Sequence, residues 1–135
     1  MNFAKSLPPN FEDIVKVFPA AKGKGTIFTY GDTVYVPSGQ ALPMPLVAHE
    51  SVHSERQGSK PDKWWEKYLE NAVFRFGEEL IAHETEYLEY AQYGRNARRK
   101  ALSVIALRLS SPLYGSLITL NEAKRAITGK SFNLR

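Results

Sequence analysis

The stretch Leu46-Val47-Ala48-His49-Glu50-Ser51-Val52-His53 constrains this chain more than any other. On a helix, His53 falls roughly 40° around and ~6 Å along from His49, so the two rings share one face. Imidazoles on neighbouring turns can reach a single tetrahedral Zn²⁺. Glu50 falls roughly 100° from His49 and roughly 60° from His53, at the edge of that arc. There a carboxylate can touch a water beside the metal without itself being a ligand. The chain has only three histidines, and two of them take this spacing. An amphipathic helix with histidines paired to surface carboxylates could show the same spacing. Against it stand the apolar run before the motif, which calls for a half-buried helix, and the punctuation by Pro43, Pro45 and Gly58.

A length of 135 residues suits one domain with one core. With 43% hydrophobic and 24% charged residues, the composition is that of a soluble globular protein. No run of about 18 apolar residues occurs, so no membrane span is expected. Met1 to Pro9 carries a lone Lys5 with no apolar stretch behind it, which predicts no signal peptide and a cytoplasmic protein. Cysteine is absent, so any zinc must be held by His and carboxylate, which fits an open catalytic site better than a closed structural one. The net charge of +4 permits contact with nucleic acid. The densest basic run, Gly94 to Lys100, is expected to be a solvated helix start, because no nucleic-acid motif accompanies it.

Along the chain, Phe11, Ile14, Val15 and Phe18 repeat at helical spacing behind Asn10, and Pro19 closes that helix. Ala20 to Gly25 reads as a basic connector. Thr26 to Tyr30 and Thr33 to Val36, around Gly31-Asp32, predict a hairpin with a type II′ or I′ turn. Such an edge strand beside a metal could pair with an extended peptide. Ser59 to Asp62 opens a helix whose aromatic face (Trp64, Trp65, Tyr68, Leu69) is expected to be core. Asn71 is the expected N-cap of a long helix, 72–93, ended by Gly94. Leu102, Ile105, Ala106 and Leu109 mark another helix, stopped by Ser110-Ser111-Pro112. Thr119-x-x-Glu122 is a capping box for a last helix, 120–128, with Gly129 behind it. The tail, Lys130 to Arg135, is expected to dock on its own domain or on a neighbouring molecule. The fold class is therefore α+β, mainly α.

A catalytic zinc needs a third protein ligand, either His83 or a carboxylate of the long helix: Glu78, Glu79, Glu84, Glu86 or Glu89. Helical phase alone does not decide among them. An apolar arc of Phe76, Gly77, Leu80, Ile81 and Leu88, with Glu84 near its centre and Glu79 at one edge, favours Glu84 by burial.

His49-Glu50-x-x-His53, with Glu79-x-x-Ala82-His83 downstream, resembles the gluzincin metallopeptidases. The layout of hairpin, metal helix, Trp64-Trp65, and Phe74-Arg75 leading into Glu78-Glu79 is similar to minimal gluzincins and small phage- or prophage-encoded proteins with this motif. The resemblance covers roughly residues 26–93. It implies a zincin-like fold, a peptidase acting on peptide or protein substrates, His49, His53 and Glu79 as Zn²⁺ ligands, and Glu50 as catalytic base. A phage origin would place the protein in the host cytoplasm. The departure is His83, where many relatives carry Asp, Asn or Tyr; it could orient a ligand or contact substrate. Metzincins are disfavoured, because Ser54 to Gly58 lack their Gly-x-x-His continuation. Tyr114, Tyr87 and His83 are the candidate oxyanion donors. The alternatives are a zincin-fold protein that binds a protein partner without catalysis, and a basic nucleic-acid-binding domain. The sequence does not specify an oligomeric state.

Overall fold

The expected hairpin forms as β2 (Phe28–Tyr30) and β3 (Thr33–Tyr35), paired antiparallel with Thr29 opposite Val34, in a computed structural model describing all 135 residues. Gly31 has φ of 64°, while Asp32 does not enter the positive-φ region. A left-handed first residue alone makes this a II′ turn, and glycine takes that conformation without penalty. A further strand with no signature of its own in the sequence, β1 (Asn2–Ala4), adds in parallel to β3, giving the order β1-β3-β2. Three residues carry no alternation of their own, so only pairing with β3 makes them a strand.

The other elements are helical: α1 (Phe11–Val17), α2 (Met44–Gln57), α3 (Pro61–Glu70), α4 (Ala72–Tyr90), α5 (Arg95–Leu109) and α6 (Leu120–Ile127). Short 3-10 turns occur at Pro19–Lys22, Ala91–Tyr93 and Pro112–Tyr114. No helix is long and apolar enough to cross a membrane. α2 begins behind Pro43, has Pro45 in its first turn and ends at Gly58, as the punctuation required. Asn71 caps α4 by accepting the Phe74 N–H at 3.0 Å. The basic run opens α5, and Arg95, Arg98, Arg99 and Lys100 are exposed.

Of the capping box on α6, one half forms. The Thr119 hydroxyl accepts the Glu122 N–H, whereas the Glu122 carboxylate turns away to accept the Asn133 N–H at 2.9 Å. Gly129 ends the helix as a Schellman motif, with Lys130 N–H on the Arg125 carbonyl and Gly129 N–H on that of Ala126. The tail thus docks on its own domain. Phe132 lies against the core, and the Arg135 N–H reaches the Leu117 carbonyl at 2.7 Å.

Two apolar clusters flank the middle of the molecule. Ile105, Leu109, Ile118 and Ile127 anchor one between α4, α5 and α6; Ile14, Phe28, Trp64 and Trp65 form the other between α1, β2 and α3. Leu109 has no exposed surface. Leu109→Ala should therefore lower stability by about 2–5 kcal/mol, read as a fall in the urea midpoint at unchanged slope.

Candidate metal centre

α2 and α4 form the most extensive helix pair, and what they bury between them is polar. On α2 the buried line is Pro45, His49, Glu50, His53 and Gln57, while Leu46, Val47 and Ala48 are only half-buried. On α4 it is Arg75, Phe76, Glu78, Glu79, Ala82, His83 and Glu86. The expected apolar arc of α4 is its buried face only in part, since Phe76 is core and Leu80 packs against it. Ile81 is 37% and Leu88 67% exposed, and Glu84 between them is half-exposed, which removes the burial argument for Glu84. The helix is rotated by the demand of the polar cluster. Glu84 stands roughly 140° around from Glu79, whereas Glu86 returns to within roughly 20° of it, two turns on.

Three atoms converge. His49 Nε2 lies 3.1 Å from Glu79 Oε1 and 3.1 Å from His53 Nε2, and His53 Nε2 lies 3.3 Å from Glu79 Oε1. Ligands ~2.0–2.1 Å from a tetrahedral cation stand about 3.3 Å from one another, so the triangle has the size a metal requires. Two overlapping sets of buried groups here, His49 with Glu50 and His53 and His49 with Glu79 and His83, lie close enough to hold a metal ion. Glu78 is committed elsewhere: Arg56 grips it at 2.7 Å and the Trp64 indole N–H donates to it at 2.6 Å. Glu50 stands back from the triangle, with Oε2 3.8 Å from His49 Nε2 and Oε1 accepting the Thr29 hydroxyl at 2.9 Å.

Around the triangle, each group is fixed differently. Glu86 Oε1 meets His49 Nδ1 at 2.9 Å and His83 Nδ1 at 3.1 Å, so one carboxylate oxygen orients both rings. His83 is 2% exposed and does not line the cavity; it meets His49 through the shared Glu86 oxygen and also directly, edge to ring at 4.6 Å between centroids. The Tyr68 hydroxyl donates to Glu79 Oε2 at 2.6 Å, leaving Oε1 for the triangle. His53 Nδ1 is buried without a partner, and its ring is held by edge packing on Trp64. Tyr114 is buried and lines the cavity beside Glu50 and Glu79. Tyr87 is not part of the site: it packs on the α4–α5–α6 cluster, since its position roughly 80° around from Glu79 turns it off the face that Glu86 shares.

Charge follows the geometry. Burial alone would disfavour a charged His49, but its hydrogen bonds to Glu79 and Glu86 outweigh burial and push its pKa up to about 10. Burial works against an ionised Glu79 too, yet the neighbouring His53 and His49 hold it well below the usual carboxylate range. Burial likewise opposes ionisation of Glu86, which its bonds to His49 and His83 bring down to about 2. Burial lowers His83, which is therefore neutral. Burial and the nearby Glu79 raise both Tyr68 and Tyr114, so both hydroxyls keep their protons. The triangle demands positive charge.

Thr29, Tyr68 and Glu86 were not assigned these roles from sequence. Glu86 had a legible signal, its i+7 spacing from Glu79. Thr29 and Tyr68 had none, because their contacts to Glu50 and Glu79 span 21 and 11 residues. Comparisons with protein-family models, with curated proteins and with solved structures gave no match.

Two outcomes are expected. Glu86→Gln should weaken metal binding about 10–100-fold in a chelator competition, and Glu84→Ala should leave it unchanged. His49 is protonated at pH 7 in the metal-free protein, so a cation must expel its Nε2 proton. Calorimetry in buffers of different ionisation enthalpy should show about one proton released at pH 7. Release should vanish as the pH rises above about 10, where His49 is already neutral.

Proposed function

We propose that the protein is a zinc-dependent peptidase in which His49, His53 and Glu79 hold the metal and Glu50 is the general base. The observation that carries this is the triangle of two imidazole nitrogens and one carboxylate oxygen, with a fourth group, Glu50, held just outside it. Two histidines and a glutamate without thiolate form a donor set of catalytic zinc sites. When bound, zinc would supply Lewis acidity, polarising a carbonyl and making a water nucleophilic near neutral pH.

The chain's own groups do the rest. Thr29 holds one oxygen of Glu50, which leaves the other free to take a proton from the attacking water and return it to the leaving amine. Tyr114, kept protonated by burial and the surrounding carboxylates, can donate to the oxygen that becomes negative. Tyr68 is less suited to that task, because its proton is committed to Glu79.

The β2 edge supports an extended substrate over a short span only. Backbone groups pointing away from β3 belong to Ile27, Thr29 and Gly31. The Thr29 carbonyl already accepts from Gln57 and Trp65, and the two main-chain groups of Gly31 are taken by Gln57 and Ser54. Ile27, on the cavity wall, is left to meet a peptide backbone.

Zinc-loaded wild type and Glu50→Gln, compared on a peptide library, provide the test. Cleavage should fall about 10²–10⁴-fold in Glu50→Gln while zinc stays bound. Equal cleavage by the two would end the peptidase reading and leave a metal-binding protein without this chemistry.

A further inference from the structure

The cavity over the triangle has a volume of about 310 Å³, and its lining is divided. His49, Glu50, His53 and Glu79 are its only histidines and carboxylates, all at the metal end. The remainder is a mostly apolar chamber. Trp64 and Trp65 form the inner wall, and both indole N–H groups are spent on protein acceptors, Glu78 and the Thr29 carbonyl. The carbon surfaces of the rings are thus what a ligand meets.

The outer wall comes from the end of α1 and the 3-10 turn behind it: Phe18, Ala20 and Ala21. Phe18 is fixed by the Arg75 guanidinium, 4.9 Å from its ring centroid. Next to it, two consecutive alanines present only methyl groups, so the chamber is wide where a larger residue would close it.

We infer that this chamber is the specificity subsite of the enzyme. It takes one large apolar side chain of the substrate, of the phenylalanine or leucine class, with Ala20 and Ala21 setting its width. The inference rests on the peptidase reading for the identity of its ligand as a peptide. A charged side chain entering the chamber would lose its water and find no counter-charge beyond the metal cluster. The volume lies at the small end for ligand cavities, which suits one side chain and the reacting peptide unit better than a wide segment.

The test separates binding from catalysis. Trp64 and Trp65 are the only tryptophans of the chain, so intrinsic fluorescence reports directly on the chamber wall. Zinc-loaded Glu50→Gln would be titrated with capped pentapeptides, Ala-Ala-X-Ala-Ala, with X as Phe, Leu, Asp or Lys. The Phe and Leu peptides should saturate the signal at concentrations at least about 10-fold lower than the charged ones, about 1.4 kcal/mol of discrimination. Introducing Ala21→Phe into the same protein should erase that preference, with zinc content and far-UV circular dichroism unchanged. Ala20→Phe, at an exposed position on the rim, should do the same if Ala21→Phe does not fold. Equal affinities, a preference for Asp or Lys, no saturable signal, or a preference that survives both substitutions would overturn the subsite. Cleavage that depends on Glu50 but not on X would overturn it while sparing the peptidase reading. Selective binding without any cleavage would do the reverse.

Discussion

Two imidazole nitrogens and a carboxylate oxygen face one another across about 3 Å at the centre of this molecule, and the rest of the fold makes sense as what holds them there. His49 Nε2, His53 Nε2 and Glu79 Oε1 would repel if nothing positive lay between them. Burying such a set is unfavourable unless a cation or a proton compensates it. In the free protein a proton on His49 does so, which is why that ring holds its proton far above the usual imidazole range. Metal and proton thus compete for one position. The two apolar clusters on either side supply the stability that lets α2 and α4 meet through polar faces.

Each member of the triangle is steadied by a separate neighbour. Glu86 aims His49, Tyr68 takes the second oxygen of Glu79, and Trp64 packs against the ring of His53. These supports come from α3 and α4, so the motif helix carries the two histidines but not the groups that steady them. His83 completes the arrangement from beneath, sharing Glu86 with His49. The same ring also packs edge-on against His49, so it steadies that side chain by contact as well as through the carboxylate.

Local chemistry made much of this readable. Pro43, Pro45 and Gly58 mark α2, Asn71 marks α4, and Gly31-Asp32 marks the hairpin, because each rests on a backbone preference within a few residues. What failed was part of the burial face of α4, beyond Phe76 and Leu80. Leu88 and Ile81 look like core by hydropathy, yet they face outward because Glu79, His83 and Glu86 must face inward. Hydrophobic periodicity assumes that burial follows apolarity, and a buried polar site reverses that rule locally. β1 and the Thr29–Glu50 contact escaped for a different reason. Both depend on partners about 20–30 residues away, and nothing in the neighbouring sequence announces them.

Gln57 has an effect that reaches beyond the site. With one side-chain amide it bonds the Thr29 carbonyl and the Gly31 N–H, and Ser54 takes the Gly31 carbonyl. An open strand margin invites sticky lateral growth, in which other molecules extend the sheet. Here the half nearest the turn is already capped by helix side chains, so a stray chain would find too few free bonding positions to zip along it. The protein can therefore keep a short stretch of backbone available beside its candidate metal centre without turning that stretch into a seed for aggregation.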